Sequence, residues 1–223
     1  MRGLIIAIDG PSGVGKGTVA RAVARQLGYR HVDTGAMYRA VAWEALRQGL
    51  SLEDVPAVAA IAERAAFDLD GDRVVIDGHD VTAAIRTPEM DRAATVVARQ
   101  AAVRARLVAR QREMGAEGAI VMEGRDIGTV VFPEADVKVF LDASPEERAR
   151  RRANDPAHAG HGAALASVAV KLQARDQSDR TRAASPLVMA ADAIRIDTTN
   201  VPADEVVRRV CALVEGVHGG TNR

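Results

Sequence analysis

Short runs of apolar residues recur along the chain, and helical patterns separate them. The runs are "LIIAID", "AIVMEG", "VKVFLD" and "AIRID". Apolar runs without alternation, placed between helices, are typical of parallel strands that are covered on both faces. The pattern therefore predicts an α/β fold, in which a parallel sheet is flanked by helices.

Two helical patterns frame this sheet. In "GTVARAVARQLG", Val19, Val23 and Leu27 recur every four residues, and Gly28 supplies a stop signal. A final helix, from about residue 202 to about residue 217, has the same apolar spacing and is expected to pack back on the sheet.

Two segments interrupt the alternation of strands and helices. Residues 67–81 contain two Asp-Gly pairs around the run Val74, Val75 and Ile76, and this pattern predicts a small antiparallel meander. Residues 151–186 are polar, weakly apolar and bounded by arginines. That composition favours a mobile lid over a core element.

Composition narrows the function classes. Thirty basic and 30 acidic residues give a net charge of zero, and only six residues are aromatic, which speaks against nucleic acid and anionic membranes as partners. No apolar run approaches the roughly 20 residues of a membrane span, and the first ten residues do not resemble a signal peptide. We expect a cytoplasmic protein. The single cysteine, Cys211, is expected to be a small buried side chain.

The strongest chemical signal is "IAIDGPSGVGKGTVARAV", which passes from an apolar strand through a glycine-rich loop into a helix. Gly10, Gly15 and Lys16 satisfy the pattern G-x-x-x-x-G-K. In such a loop, backbone N–H groups and the positive end of the helix surround one point, which suits phosphate. Lys16 can reach the outer phosphates of a nucleoside triphosphate.

The loop departs from the strict pattern at Gly17, because the expected hydroxyl arrives one residue later, at Thr18. This shift leaves direct ligation of magnesium by the hydroxyl open. The loop alone is compatible with a motor, a GTPase switch or a phosphotransferase. An Asn-Lys-x-Asp motif, which typically reads guanine, does not occur in the sequence.

Two further loops carry polar groups to the carboxyl edge of the predicted sheet. "HVDTGAMYRA" places Asp33, Thr34 and Arg39 there, either as a helix cap or as ligands of a phosphomonoester. "VMEGRDIGTVVFP" places Arg125 and Asp126 there, either as a structural ion pair or as part of the same site.

Arginine clusters flank the predicted lid. We interpret Arg150 and Arg151 as a solvated helix face. The remaining candidates recur at helical spacing and suit charge neutralisation during phosphoryl transfer; they are Arg148, Arg152, Arg175 and Arg182. His158 and His161 have no nearby cysteine or matching carboxylate, so a metal site is not expected there.

Across nearly its whole length the sequence resembles the bacterial cytidylate kinases, which are nucleoside monophosphate kinases of the P-loop phosphotransferase group. The resemblance is carried by "GPSGVGKGT", "DTGAMYRA", "EGRDIGTVVFP", "KVFLDASPEERARRR" and "RDQSDRTRAASPL". It implies a P-loop NTPase-like sheet of about five strands with an inserted meander and a lid. The expected domain is single, residues 1–223, with its core at 1–60, 99–150 and 186–223, a monophosphate-binding insertion at about 61–98 and the lid at about 151–185.

The resemblance also implies an activity and a set of site residues. The family transfers the terminal phosphoryl group of ATP to CMP or dCMP, with Mg²⁺ on the nucleotide phosphates, and it suggests a monomer. Residues implied to bind ATP are Gly10, Pro11, Ser12, Gly13, Val14, Gly15, Lys16, Gly17, Thr18, Arg148 and Arg152. Residues implied to hold the monophosphate are Thr34, Arg39 and Arg125. Residues implied to face cytosine are Thr95, which replaces a serine of some members, Arg104 and Asp126. Residues implied to reach the acceptor from the lid are Arg175, Asp179 and Arg182. The residues expected to act in catalysis are Lys16, Arg125, Arg175 and Arg182.

Two alternatives stay open at the level of sequence. One is a kinase for another small acceptor, such as UMP, AMP or shikimate. The other is a nucleotide-dependent regulatory or nucleic-acid-binding module that hydrolyses ATP slowly.

Overall fold

The protein is described here from a computed structural model, which covers residues 3–155 and 164–220. His158 and His161 lie outside the described residues. The strands are β1 (Ile5–Asp9), β2 (Arg30–Asp33), β3 (Phe67–Asp70), β4 (Arg73–Ile76), β5 (His79–Asp80), β6 (Ile120–Gly124), β7 (Val137–Asp142) and β8 (Ile194–Asp197). The helices are α1 (Lys16–Leu27), α2 (Thr34–Arg47), α3 (Val55–Arg64), α4 (Pro88–Ala98), α5 (Ala101–Met114), α6 (Pro145–Ala153), α7 (Leu165–Thr181) and α8 (Ala203–Gly220), with one π-helical turn at Ile127–Val131.

Five strands form one parallel sheet in the order β2-β6-β1-β7-β8. The predicted α/β class and strand number are confirmed, and all four apolar runs are strands of this sheet. Central β1 is buried along its whole length. Its side chains alternate between two cores, because successive residues of a strand point to opposite faces. Ile6 and Ile8 pack with α1 and α8, whereas Ile5 and Ala7 face the core that α2, α3 and α5 complete.

The predicted meander is also confirmed. Strands β3, β4 and β5 form a separate antiparallel sheet. Asp77 and Gly78, which join β4 to β5, both adopt positive φ, as a tight hairpin turn requires. Helix α4 follows this sheet and packs against α2. The boundaries predicted for the core, the insertion and the lid stay a prediction.

Helices α6 and α7 pack on each other through a small apolar cluster of their own, formed by Ala149, Ala153, Val168 and Leu172. Within the predicted lid, residues 165–181 form helix α7, because Val168 and Leu172, four residues apart, give it an apolar edge. The mobility of the lid stays a prediction. Cys211 is buried on α8, as expected. Among the described residues, no helix is long and apolar enough to cross a membrane.

Candidate active site

A cleft of about 490 Å³ opens at the carboxyl edge of the main sheet. Because the carboxyl ends of parallel strands lie on one edge, the loops after β1, β2 and β6 converge there. Helix α4 of the insertion and α7 of the lid complete the walls. The cleft therefore brings the glycine-rich loop together with the polar loops that follow β2 and β6.

The loop between β1 and α1 depends on close backbone approach. Gly10 has a φ of 149°, and a Cβ added there would lie 2.1 Å from the carbonyl oxygen of Leu141 on β7. No other residue fits this position without moving the loop. Helix α1 begins at Lys16, directly after Gly15, so its N-terminal amides open toward the cleft.

Lys16 is buried at the floor of the cleft, where its Nζ donates a 2.6 Å hydrogen bond to the carbonyl oxygen of Pro11. Burial, followed by the nearby Arg125 guanidinium, lowers the pKa of Lys16 to about 7, although Glu123 and Asp9 oppose this shift. The ammonium group thus lacks a full counter-charge and can gain one from a bound phosphate.

The glycine at position 17 has a steric explanation. A Cβ at Gly17 would lie 3.2 Å from Oε1 of Glu123, so a serine or threonine there would crowd this carboxylate. Glu123 is buried and hydrogen-bonded to Nε2 of His31 at 3.0 Å. The carboxylate of Glu123 stands beside the position that a hydroxyl occupies in the strict pattern, and Thr18 lines the cleft one residue further on.

The loop after β2 forms the helix cap that its sequence suggested, and its role as a ligand of a phosphomonoester stays a prediction. Asp33 caps α2 by accepting a hydrogen bond from the amide of Ala36 at 3.1 Å, and it also pairs with Nη2 of Arg39 at 2.9 Å. Burial opposes ionisation, but Arg39 and His31 hold the pKa of Asp33 below its usual range. The Thr34 hydroxyl donates to the carbonyl oxygen of Glu123 at 2.8 Å. This bond ties the loop after β2 to the end of β6.

Arg125 and Asp126 do not form an ion pair with each other. Nε of Arg125 donates to Asp179 of α7 at 2.8 Å, whereas Asp126 accepts from Nη2 of Arg104 and lies 3.4 Å from Nη2 of Arg182. Adjacent residues after β6 therefore serve different parts of the cleft. The guanidinium of Arg104 also lies over the ring of Tyr38, 5.2 Å from its centroid.

Two arginines of the lid converge on one carboxylate of the insertion. Asp91 on α4 accepts from Nη2 of Arg152 and from Nη1 of Arg175, the latter at 3.1 Å. Burial and the neighbouring Arg125 lower the pKa of Arg175. Thr95, one turn after Asp91, also lines the cleft. These contacts join α4 to α6 and α7 at the wall of the cleft.

Comparison with known proteins identifies the family to which this site belongs. A family model described as cytidylate kinase matches residues 6–216. The chain belongs to the cytidylate kinase family. The cytidylate kinase of Desulfitobacterium hafniense (strain Y51) is 50% identical over 215 residues, which cover 95% of this chain and 93% of the relative. That of Pelotomaculum thermopropionicum is 50% identical over 214 residues and covers 94% and 95%, respectively.

Two solved structures share the fold at low sequence identity. An uncharacterised protein of Eubacterium ventriosum ATCC 27560 aligns with a TM-score of 0.56 at 14% identity, covering 96% of this chain and 98% of its own. A gluconokinase of Sinorhizobium meliloti 1021 aligns with a TM-score of 0.51 at 16% identity, covering 98% and 95%. At such identities, these two structures support the fold of this chain but no conclusion about its substrate or reaction.

Most residues that the family resemblance implied line the cleft. They are Ser12, Gly13, Gly15, Lys16, Gly17, Thr18, Thr34, Arg39, Thr95, Arg104, Arg125, Asp126, Arg152, Arg175, Asp179 and Arg182. Gly10, Pro11 and Val14 lie in the loop but do not line this cleft.

Arg148 and Arg151 lie elsewhere than the sequence suggested. Arg148 does not line the cleft: it is buried behind the loop, where it pairs with Asp176 and donates to the carbonyl oxygen of Ser12 at 3.3 Å. Arg151 does line it, and its Nη1 donates to the carbonyl oxygen of Val14 at 3.1 Å and to the Thr198 hydroxyl at 2.9 Å. The interpretation of Arg151 as solvated is therefore wrong.

Several residues of the cleft escaped the sequence analysis. They are Arg21, Tyr38, Arg86, Ala94, Ala98, Arg151 and Asp155. The spacing of Tyr38, one helical turn after Thr34, could have indicated it. Arg21 and Arg86 meet at Asp72 of the β3–β4 turn, at 2.5 Å and 3.3 Å. No local pattern shows that this distant turn lies beside α1.

A second cavity of about 490 Å³ adjoins the other side of the glycine-rich loop. Gly15 and Thr18 line both cavities. The segment after β8 supplies the opposite wall, from Thr198 through Val206, and Arg151 lies between the two. The loop thus has one cavity on each side.

Proposed function

We propose that the protein transfers the terminal phosphoryl group of ATP to CMP or dCMP, which yields ADP and CDP or dCDP, in pyrimidine nucleotide metabolism. The observation that supports this proposal most is the single cleft in which a phosphate-binding loop faces the Arg104–Asp126 pair. Membership of the cytidylate kinase family supports the same reaction and ATP as the co-substrate.

ATP binds through the loop of residues 10–18 in this proposal. The amides at the start of α1 and the Lys16 ammonium group meet its phosphates. The nucleoside part of ATP lies in the second cavity, beyond Gly15 and Thr18. Arg152 lies on the side of the phosphates, whereas Arg148 holds the loop from behind.

CMP occupies the main cleft. The convergent positive charges of Arg39 and Arg125, together with the Thr34 hydroxyl, suit its phosphate. Arg175, Asp179 and Arg182 reach the acceptor's sugar and phosphate from the lid.

The cytosine ring lies against Thr95, Arg104 and Asp126. Cytosine carries an amino group that a carboxylate can accept from, whereas uracil has an oxygen at that position. Asp126 would face that oxygen without a proton between them. A buried carboxylate left in this way disfavours the wrong base.

The proposed chemistry is an in-line transfer without a covalent enzyme intermediate. The acceptor phosphate has a second pKa of about 6, so it is already ionised at neutral pH and needs no strong general base. The barrier is lowered by alignment and by positive charge around the transferred group. Lys16, Arg125, Arg175 and Arg182 supply that charge.

Mg²⁺ accompanies ATP in the proposal. Among the described residues, no three acidic, histidine or cysteine side chains are placed to hold a metal by themselves. Mg²⁺ generally keeps several waters and binds nucleotide phosphates with one or two protein oxygens. Thr18 and Glu123 line the cleft at the loop and could supply such oxygens, and the ion would neutralise phosphate charge.

We further propose that the protein acts as a monomer in the cytoplasm, with small nucleotides as its partners. The resemblance to the cytidylate kinases, which suggests a monomer, supports this state. Neither nucleic acid nor membrane is a partner in the proposal, in keeping with a net charge of zero.

ADP release tests the proposal and separates it from other acceptors. The purified protein is assayed with MgATP alone, then with CMP, dCMP, UMP, AMP and shikimate in turn. We expect CMP and dCMP to stimulate ADP release at least about tenfold more than the other acceptors. Stimulation by UMP, AMP or shikimate instead would overturn the assignment of the base pocket.

A further inference from the structure

The geometry points to Asp9 as a positioning residue for the acceptor-base pocket. Its buried carboxylate holds the turn that follows Asp126. This inference rests on the proposed function, because it takes Asp126 as the carboxylate that faces the base. Asp9 does not line either cavity, so a direct role in binding is not part of it.

Asp9 is the last residue of β1 and is buried, with 5% of its surface exposed. Its carboxylate accepts two backbone hydrogen bonds from a distant part of the chain. Oδ1 binds the amide of Ile127 at 2.9 Å, and Oδ2 binds the amide of Gly128 at 2.7 Å. Both amides belong to the first turn of the π-helix, where the helix itself offers no acceptor.

These bonds fix the backbone that follows Asp126. The carbonyl oxygen of Asp126, which shares a peptide unit with the amide of Ile127, accepts from the amides of Val130 and Val131, at 2.9 Å and 3.1 Å. This peptide unit is therefore held at both its N–H group and its carbonyl oxygen, and the side chain of Asp126 is aimed at Arg104. Without the Asp9 carboxylate, the first turn would lose the support at its N–H groups.

The charge on Asp9 is coupled to both halves of the reaction. Burial raises the pKa of Asp9 to about 6 against the two amide bonds, which lower it; Asp126 raises it further and Lys16 lowers it. Asp9 thus interacts electrostatically both with Lys16 of the phosphate loop and with Asp126 of the base pocket. Both hydrogen bonds of its carboxylate, however, go to the turn that follows Asp126.

The phosphate loop has supports of its own. Lys16 binds the carbonyl oxygen of Pro11, Arg148 that of Ser12, and Arg151 that of Val14. Loss of the Asp9 carboxylate should therefore weaken the acceptor side much more than the ATP side.

Asp9→Asn tests the inference, because the amide keeps the shape of the side chain but turns an N–H group toward one of the two amides. Asp136→Asn is the matched control: Oδ2 of Asp136 accepts from the amide of Ile5, at the opposite end of β1, at 2.7 Å. The KM values for CMP and for ATP, kcat and the Tm are measured for both variants and for the wild type.

For Asp9→Asn we expect the KM for CMP to rise at least about tenfold while the KM for ATP changes less than about threefold. Asp136→Asn should leave both KM values unchanged. An unchanged KM for CMP in Asp9→Asn, an equal rise in both KM values, or the same change in Asp136→Asn would overturn the positioning role.

Gly128→Ala provides a second route if Asp9→Asn does not fold. A Cβ at Gly128 would lie 3.2 Å from Cδ of Lys138 and 3.5 Å from Oδ2 of Asp9, so it presses on the same turn without removing the carboxylate. It should also raise the KM for CMP selectively, and an unchanged value would overturn the role.

The outcomes for the proposed function and for the inference are distinguishable. A wild type that does not phosphorylate CMP overturns the proposed function, and the inference with it. A wild type that phosphorylates CMP, together with variants whose KM for CMP is unchanged, overturns the inference alone.

Discussion

Lys16 is one of only three lysines among 30 basic residues, and it is the one that the fold buries beneath the phosphate loop. Its identity and role could be predicted from the spacing Gly10, Gly15 and Lys16. The reason for Gly17 could not, because the carboxylate that requires a glycine there comes from Glu123, more than 100 residues later. Long-range contacts of this kind leave no local pattern in a single sequence.

Lys16→Ala should lower kcat at least about 100-fold, because the transferred phosphoryl group loses its nearest ammonium. The control is Lys171→Ala, at an exposed position of α7, which should stay within about twofold of the wild type. Steady-state kinetics and circular dichroism are compared for both variants. Turnover retained by a folded Lys16→Ala protein would refute the role.

The pKa of Lys16 predicts a pH dependence of ATP binding. In the free protein this pKa is about 7, so the charged form is lost as the pH rises through 7. Phosphate favours the charged form, so ATP binding above pH 7 should take up a proton and weaken by up to about tenfold per pH unit. Titration calorimetry of ATP binding, in buffers with different heats of ionisation, should show this proton uptake in the wild type but not in Lys16→Ala. A wild-type affinity that is constant above pH 7 would contradict the assignment.

At the scale of elements, the strands and the meander could be predicted because burial on both faces and Asp-Gly turns are local signals. The order β2-β6-β1-β7-β8 could not, since it depends on how the helices pack over both faces. The same limit explains α6, whose arginine run looks uniform in sequence. Arg150 is solvated as predicted, with 61% of its side chain exposed. Only packing shows that Arg148 lies behind the loop and that Arg151 contacts it.

Arg150 and Arg151 offer a matched test of α6. Both pair with Glu147, but Arg151 alone also binds the carbonyl oxygens of Val14 and Thr198. Arg151→Ala should raise the KM for ATP about tenfold, which corresponds to the loss of roughly 1.4 kcal/mol of hydrogen bonding. Arg150→Ala should change it less than twofold. Equal effects of the two substitutions would show that α6 contributes only its charge.

At the scale of the whole molecule, one cleft unites three parts of the chain. The sheet supplies the phosphate loop, α4 supplies Asp91 and Thr95, and the lid supplies Arg175 and Arg182. Sequence motifs indicated the phosphate loop and the lid arginines, whereas the contact of the lid with Asp91 depends on the packing of α4 against α7.

The resemblance to the cytidylate kinases predicts a monomer. Light scattering coupled to size-exclusion chromatography should give a mass near 23.6 kDa at the concentrations used for assays. The same value should be found with and without MgATP. A mass of about twice that value would contradict the prediction.

In the proposed function, the phosphate loop and the Arg104–Asp126 pocket serve one transfer from ATP to CMP. A single turnover with ATP labelled in the terminal phosphoryl group, in the presence and absence of CMP, tests this transfer. We predict that the label moves into the terminal phosphate of CDP and that little free phosphate forms. Label released only as inorganic phosphate, at the same rate with and without CMP, would identify a slow ATPase and contradict transfer to CMP.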